Sequence, residues 1–377
     1  LPIEIRSRIS PSPKLLPSLR ASFYRHTPAR YGAGPDFIVE EASRLEGDGF
    51  DSAYVPQSST WPDVFSVTGW VLAATAKTKF ISAHRVGLQA PTAAARALAT
   101  LDWLSGGRAG LHVILGLSSD DQKRDGDPLP KEDRYRRADE YLTVLRQWLT
   151  NVDPFDFEGE FYHVKNAERG VVPVQEPHPP ISYGGASDES IALAGRHADV
   201  YGLLREPLDT TAELIGRVRE AAASQHRTIR FWQTGAYILA ETDAEAWGKA
   251  EAELRAVNEV QRADGNKSTH QLEGVLQQRV QAVSQRGDHH DKALYTGISA
   301  ATLGSSTPVL VGTPETVADA LLDYYDLGIE IFGLVPSSGA TEEERPLSRQ
   351  LFKLLRDEVA ERDRRGPSKS TSGAVAL

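Results

Sequence analysis

The sequence predicts an α/β protein, a (β/α)8 TIM barrel with insertions. Eight short apolar or alternating segments lie near 3–9, 52–55, 79–83, 109–115, 180–183, 199–203, 229–239 and 329–335. Nearly all are followed by a stretch with helical spacing, which calls for parallel strands joined by right-handed crossovers. No long break in composition separates the units, and that favours one closed barrel over an open sheet.

Ile3 to Ser10 alternates apolar and polar residues, as a strand does. Pro11 to Pro35, with five Pro and Gly32-Ala33-Gly34, is a long loop and a candidate lid. Phe37 to Leu45 has helical spacing, and Ser52 to Val55 is a short buried strand. Asp63 is placed to cap a helix over Val64 to Ala76, and Lys79 to Ala83 is the next strand. Ala90 to Gly107 is an Ala-rich helix stopped at Gly106. Ala109 to Leu115 is a buried strand that opens into a polar loop, Gly116 to Lys131. In α/β folds ligands bind at such strand-to-loop junctions.

Glu132 to Leu149 is an amphipathic helix, and FDFEGEFYHV (Phe155 to Val164) is a hairpin. Pro179 to Tyr183 is a strand that breaks at Gly184-Gly185-Ala186-Ser187-Asp188 into a helix ending at His197. Strands at Asp199 to Leu203 and Ile229 to Ala240 alternate with helices at Thr210 to Ala223 and Asp243 to Val260. The pattern loosens from Arg262 to Ser306. A helix over Thr316 to Leu327, a strand over Ile329 to Val335 and a last helix over Leu347 to Ala360 follow. The expected organisation is therefore one domain over 1–361, with insertions at about 151–178 and 262–306, and a disordered tail over 362–377.

Composition narrows the partners. The 377 residues carry a formal net charge of -10, which argues against nucleic acid or an anionic membrane as the main partner. No apolar run reaches the roughly 18 residues that span a bilayer. The opening LPIEIRSRIS lacks the basic-then-apolar layout of a secretory signal, so a cytoplasmic address is expected. Cys is absent, which removes disulfides, thiolate metal sites and Cys nucleophiles together.

The GGASD run at 184–188 is the most pointed item at the strand ends. Two glycines admit close backbone approach, and a helix N-terminus offers free N–H groups to a phosphate. The same residues also read as a Gly-rich turn with an ordinary Ser/Asp cap. His84 and His112 end two strands and are either framework residues or parts of one shared site. No HxH or HExxH spacing occurs, so no metal site is expected. The acidic loop Asp120, Asp121, Asp125, Asp127 misses the EF-hand pattern and reads as solvated. Trp61 is a wall for substrate or a packing residue.

TAAARALATLDWLSGGRAGLHVILG, the DGD…EDRY stretch, FDFEGEFYHV, PPISYGGASDESIALAGRHADVYGLLREP and LVGTPETVADALLDYYDLGIEIF together resemble the bacterial-luciferase-like flavin-dependent monooxygenases. The likeness runs in order over roughly 35 to 335 and looks nearest to the alkanesulfonate monooxygenase group. It implies a luciferase-like barrel using reduced FMN from a separate NAD(P)H-dependent flavin reductase. It also implies O2 chemistry through a flavin C4a-(hydro)peroxide on a small organic substrate, a lid over 262–306, and a homodimer or homotetramer. Candidate cofactor-binding residues are then Ser58, His84, His112, Leu115, Gly116, Tyr135, Gly184, Gly185, Ala186 and Ser187. Trp61, Leu204, Arg205 and Gln233 are the candidates for substrate, and no catalytic acid or base is assigned.

Departures from the alkanesulfonate pattern are specific. Thr234 and Ala236 stand where those enzymes carry Arg and His, and Trp61 stands for a Cys. His112 and Leu115 replace Asn and Thr, about Gly339 falls where a Tyr is usual, and the Trp usual before a GEP-like turn is replaced, giving Leu204-Arg205. Arg205 holds an anionic part of a substrate or pairs with an acid such as Glu206. A larger, more apolar substrate, an organosulfur compound or secondary metabolite, suits Trp61 and Leu204. Two other readings remain open: deazaflavin-dependent hydride transfer on the same barrel, and a non-catalytic flavin-binding relative.

Overall fold

A computed structural model describes residues 3–9, 36–59, 61–116, 119–263, 275–302, 306–337, 342 and 344–365. The first half runs β1 (Glu4–Arg8), α1 (Asp36–Asp48), β2 (Ser52–Val55), α2 (Val64–Ala74), β3 (Lys79–Arg85), α3 (Pro91–Ser105) and β4 (Ala109–Ile114). Next come α4 (Ser119–Arg124), α5 (Lys131–Thr150), the hairpin of β5 (Phe155–Glu158) and β6 (His163–Ala167), and β7 (Ile181–Gly184). α6 (Asp188–His197), β8 (Val200–Leu204), α7 (Leu208–Ala223), β9 (Arg230–Leu239) and α8 (Asp243–Ala263) follow. Then come α9 (Val275–Ser284), β10 (His289–His290), β11 (Leu294–Tyr295), α10 (Gly297–Ala301) and β12 (Val309–Gly312). α11 (Pro314–Asp326), β13 (Ile329–Pro336) and α12 (Arg345–Arg365) complete the order.

The sheet closes on itself. β1, β2, β3, β4, β7 and β8 pair in parallel in sequence order, β8 pairs β9, β9 pairs β13, and β13 returns to β1. These are the segments anticipated from the sequence, and their closure makes a (β/α)8 barrel.

Local chemistry places the helices. The Asp63 carboxylate accepts from the Ser66 N–H at 2.8 Å and caps α2, an arrangement worth about 1 kcal/mol. Pro91 opens α3, and Gly106 ends it in the left-handed region at φ 68°. The main core lies between strands and helices, where Phe80, Leu98, Tyr141, Tyr201 and Phe231 are buried. A smaller cluster, Val200, Trp232, Ile331 and Tyr54, joins β8, β9, β13 and β2. β2 lies across the ring from β8 and β9, so this second cluster fills the barrel lumen.

Three expectations are corrected. The polar loop after β4 contains the short helix α4. The described part of 262–306 folds into α9, β10, β11 and α10, and β12 pairs in parallel with the upper half of β9, Val309 opposite Ala236. β12 is only four residues long and runs straight into the Thr313-capped α11, so no separate alternation marks it. α12 continues to Arg365, past the expected start of the tail at 362. Residues 366–377, the Pro11–Pro35 loop and Gly339 lie outside the described residues. No helix among the described residues is long and apolar enough to cross a membrane.

Candidate cofactor and substrate site

The turn between β7 and α6 gathers hydroxyl groups at a helix N-terminus. Ser187 caps α6, its side chain accepting from the Ser190 N–H. The Tyr135 hydroxyl, from α5, lies 2.8 Å from Ser190 Oγ and 3.2 Å from Ser187 Oγ. Tyr183 donates to Ser190 Oγ at 3.2 Å, and Tyr201 donates to the Gly185 carbonyl. Burial pushes Tyr183 and Tyr201 well above the usual phenol range, so both stay protonated.

The glycines of this turn are sterically required. A Cβ at Gly184 would collide with the Gly202 carbonyl, and one at Gly185 would lie 2.6 Å from Ser190 Oγ. Gly185 also holds φ at 149°, which L side chains rarely adopt. Among the described residues, no backbone carbonyl outside the regular elements accepts from the N–H groups of Ala186 and Ser187. One anion is already there. The Glu189 carboxyl is held below its usual range by its own N–H and the Ser187 hydroxyl. A carboxylate thus stands where the positive end of the helix favours negative charge.

Inside the lumen, His112 on β4 stands edge-on to Tyr54 and Trp232, with ring centroids 5.5 and 5.3 Å away. Its Nδ1 lies 2.9 Å from Ser182 Oγ, whose own proton goes to the Leu111 carbonyl at 3.0 Å. Ser182 must therefore accept, so Nδ1 carries the imidazole proton and Nε2 is left as an acceptor. Burial, helped by the Arg6 charge, lowers His112 to about 3, and the ring is neutral at physiological pH. Arg6 lies 4.5 Å over the Trp232 ring and is paired with Glu4 at 2.7 Å.

Three of the expected site residues lie on the helix-facing side of the barrel. His84 shares a strand face with Phe80 and Ser82, because alternate residues on a strand point to opposite sides. Its Nε2 lies 2.6 Å from the Tyr141 hydroxyl of α5, and its ring stacks near Phe65 of α2. Burial lowers it to about 4, so it is a neutral framework residue. Arg205 and Gln233 are both fully buried, with Arg205 Nε 3.2 Å from Gln233 Oε1. Arg205 does not pair with Glu206, whose carboxylate is 2.5 Å from Arg279 of α9.

The remaining residues stay near the strand ends. Ser58 and Trp61 share a turn after β2, the Trp61 N–H donating to the Ser58 carbonyl at 3.1 Å. Gln122 of α4 donates to the Leu115 carbonyl at 2.6 Å and packs against Gly116, which has φ 88°. Leu204 ends β8 on the same face as Gly202, whose added Cβ would meet Trp232 and His112. Arg85 reaches Asp125 at 2.5 Å and, through its N–H, Gln57 Oε1 at 3.0 Å, tying together the loops after β2, β3 and β4.

Sequence reasoning missed Tyr54, Ser182, Trp232, Tyr183 and Ser190. Ser190 had a readable signal, since it sits three residues after the Ser187 cap in GGASDES. The lumen residues had none beyond strand alternation, whose inward face the sequence alone does not fix.

A family model described as luciferase-like monooxygenase matches residues 20–330. The fold is shared with a riboflavin lyase solved with modified FMN and riboflavin, at 18% identity and TM-score 0.75 over 95% of this chain and 92% of that one. It is shared with the EDTA monooxygenase of Chelativorans sp. BNC1, at 16% identity and TM-score 0.72 over 95% of this chain and 94% of that one. An F420-dependent secondary alcohol dehydrogenase in complex with an F420–acetone adduct has the same fold, at 16% identity and TM-score 0.67 over 94% of this chain and 99% of that one. At such identities the likeness is one of fold.

Proposed function

The chain belongs to the luciferase-like monooxygenases, and from this we propose that it binds reduced FMN and uses it with O2 to oxygenate a small, largely apolar substrate. The observation that carries the reading is the Tyr135–Ser187–Ser190 hydroxyl cluster beside the N–H groups of Ala186 and Ser187. It fits a phosphate monoester, which wants several donors at a helix N-terminus and a turn with no side chain in the way. Glu189 would swing away as the phosphate arrives.

Tyr135, Ser187 and the amides of Ala186 and Ser187 would hold the phosphate, with Gly184 and Gly185 giving backbone access. Bound reduced FMN supplies the two electrons needed to activate O2. The protein's own part is to orient, to exclude water and to keep stray protons away. His112 suits that task, because its Nε2 presents a lone pair and no proton at neutral pH. Leu115, Gly116 and Ser58 would flank the ring, and Trp61 and Leu204 would offer apolar wall to the substrate. The reductase that supplies reduced FMN, and a homodimer or homotetramer, belong to the same proposal.

The test titrates purified protein with reduced FMN under nitrogen and then admits O2. Tight binding and flavin reoxidation slower than in free solution are expected. Tyr135→Phe should raise the FMN dissociation constant roughly tenfold, the loss of about one hydrogen bond to a charged group. Binding of a deazaflavin without FMN would favour hydride transfer instead. FMN binding with reoxidation at the free-flavin rate would mark a non-catalytic relative.

A further inference from the structure

Between the barrel rim and the insertion lies a cavity of about 20 Å³, with room for one or two water-sized species. Leu204, Arg205 and Glu206 line it from the end of β8 and the turn after it, and Val280, Thr296 and Ser299 line it from the α9–α10 region. The lining is mixed, apolar at the valines and polar at Glu206, Thr296 and Ser299. Arg205 Nη2 and Ser299 Oγ are buried and have no hydrogen-bond partner among the described residues.

Arg205 is fully buried, and its described side-chain contacts are neutral acceptors: Gln233 Oε1 at 3.2 Å and the Ala236 carbonyl at 2.9 Å. The neighbouring carboxylate, Glu206, is taken by Arg279 at 2.5 Å. Burial draws Arg205 down only to about 10, which leaves it charged at neutral pH. A buried cation normally has a counter-charge.

We propose that this cavity binds a small monovalent anion of halide size, held by Arg205 Nη2 and the Ser299 hydroxyl. Water would satisfy the two donors but leave the guanidinium charge uncompensated in a low-dielectric surrounding. Room for one or two water-sized species favours a halide over a larger oxyanion. Arg205 directly follows β8 and Ser299 belongs to α10, so the anion fastens the insertion to the barrel. The site is separate from the flavin cradle and does not depend on it.

Crystals grown without chloride and soaked in sodium bromide should show an anomalous peak within hydrogen-bond distance of both atoms. In solution, halide should raise Tm relative to gluconate at equal ionic strength, by about 2 °C at a tenfold excess over its dissociation constant. Arg205→Met should abolish this response. Ser299→Ala, which removes a hydroxyl with no protein partner and so preserves the fold, should weaken it at least severalfold. Density for water alone, or a halide response unchanged in Ser299→Ala, overturns the proposal. Bromide in the cavity without any halide effect on Tm marks an adventitious ion only and overturns it as well.

Discussion

His84 and His112 show what a single residue type conveys in sequence and what it does not. Both lie on strands, yet one contacts helices on the outside of the barrel and the other sits in its lumen. Only the direction of the side chain separates them, and a one-residue change of phase reverses it. Their shared property is a depressed pKa, about 4 for His84 and about 3 for His112 against an ordinary 6.5. Between those values and 6.5 the unfolded chain binds protons that the folded chain refuses, so stability falls as pH drops through that window. His178 and His197 are also lowered and act in the same direction. Urea unfolding should therefore report a loss of about 2–5 kcal/mol between pH 7 and 4.5, about 1.4 kcal/mol per proton and pH unit. His84→Gln should flatten the slope by about one proton. A stability flat over this range would mean that the two rings are hydrated.

Helices and strands were largely readable, and the exceptions have physical causes. α2 and α3 were legible through Asp63 and Gly106, because caps are local chemistry. The β7–α6 turn was legible as Gly-rich, but its demand for glycine rests on Gly202, on another strand. Gly184→Ala should cost about 1–3 kcal/mol in urea unfolding and loosen FMN binding together, since the Gly202 carbonyl has to move. If FMN binding survives unchanged, the phosphate lies elsewhere. The insertion was the least legible part, because polar residues there are used for docking. Arg279 of α9 meets Glu206 at 2.5 Å and the Thr210 carbonyl at 3.1 Å. Arg279→Ala leaves Glu206 largely buried without its partner. Hydrogen exchange of residues 275–301 should then accelerate tenfold or more, while strands β1 to β4 keep their protection. Equal acceleration throughout would show that the insertion is no separate cooperative unit.

At the scale of the molecule, the barrel was legible because repeated strand–helix units leave few alternatives, whereas the closure itself depends on contacts between chain ends. α12 makes those contacts. Arg345 and Arg349 meet the Asp48 carboxylate at 2.8 and 2.7 Å, and Arg356 meets Asp51 at 3.0 Å. Phe352, 1% exposed, stands edge-on to Phe50 at 4.7 Å. The last helix therefore locks the first helical unit beside β1, where β13 completes the ring. Phe352→Ala leaves a cavity in this joint and should cost about 3–5 kcal/mol. The one-domain reading makes a sharper demand. Far-UV circular dichroism, Trp fluorescence and flavin binding should all shift to the same lower urea midpoint, because a closed barrel missing its seam has no stable half to fall back on. Separate midpoints for the three probes would divide the chain into units that unfold apart. The α12 joint would then be a local clasp, and the barrel would owe its closure to β1–β13 pairing alone.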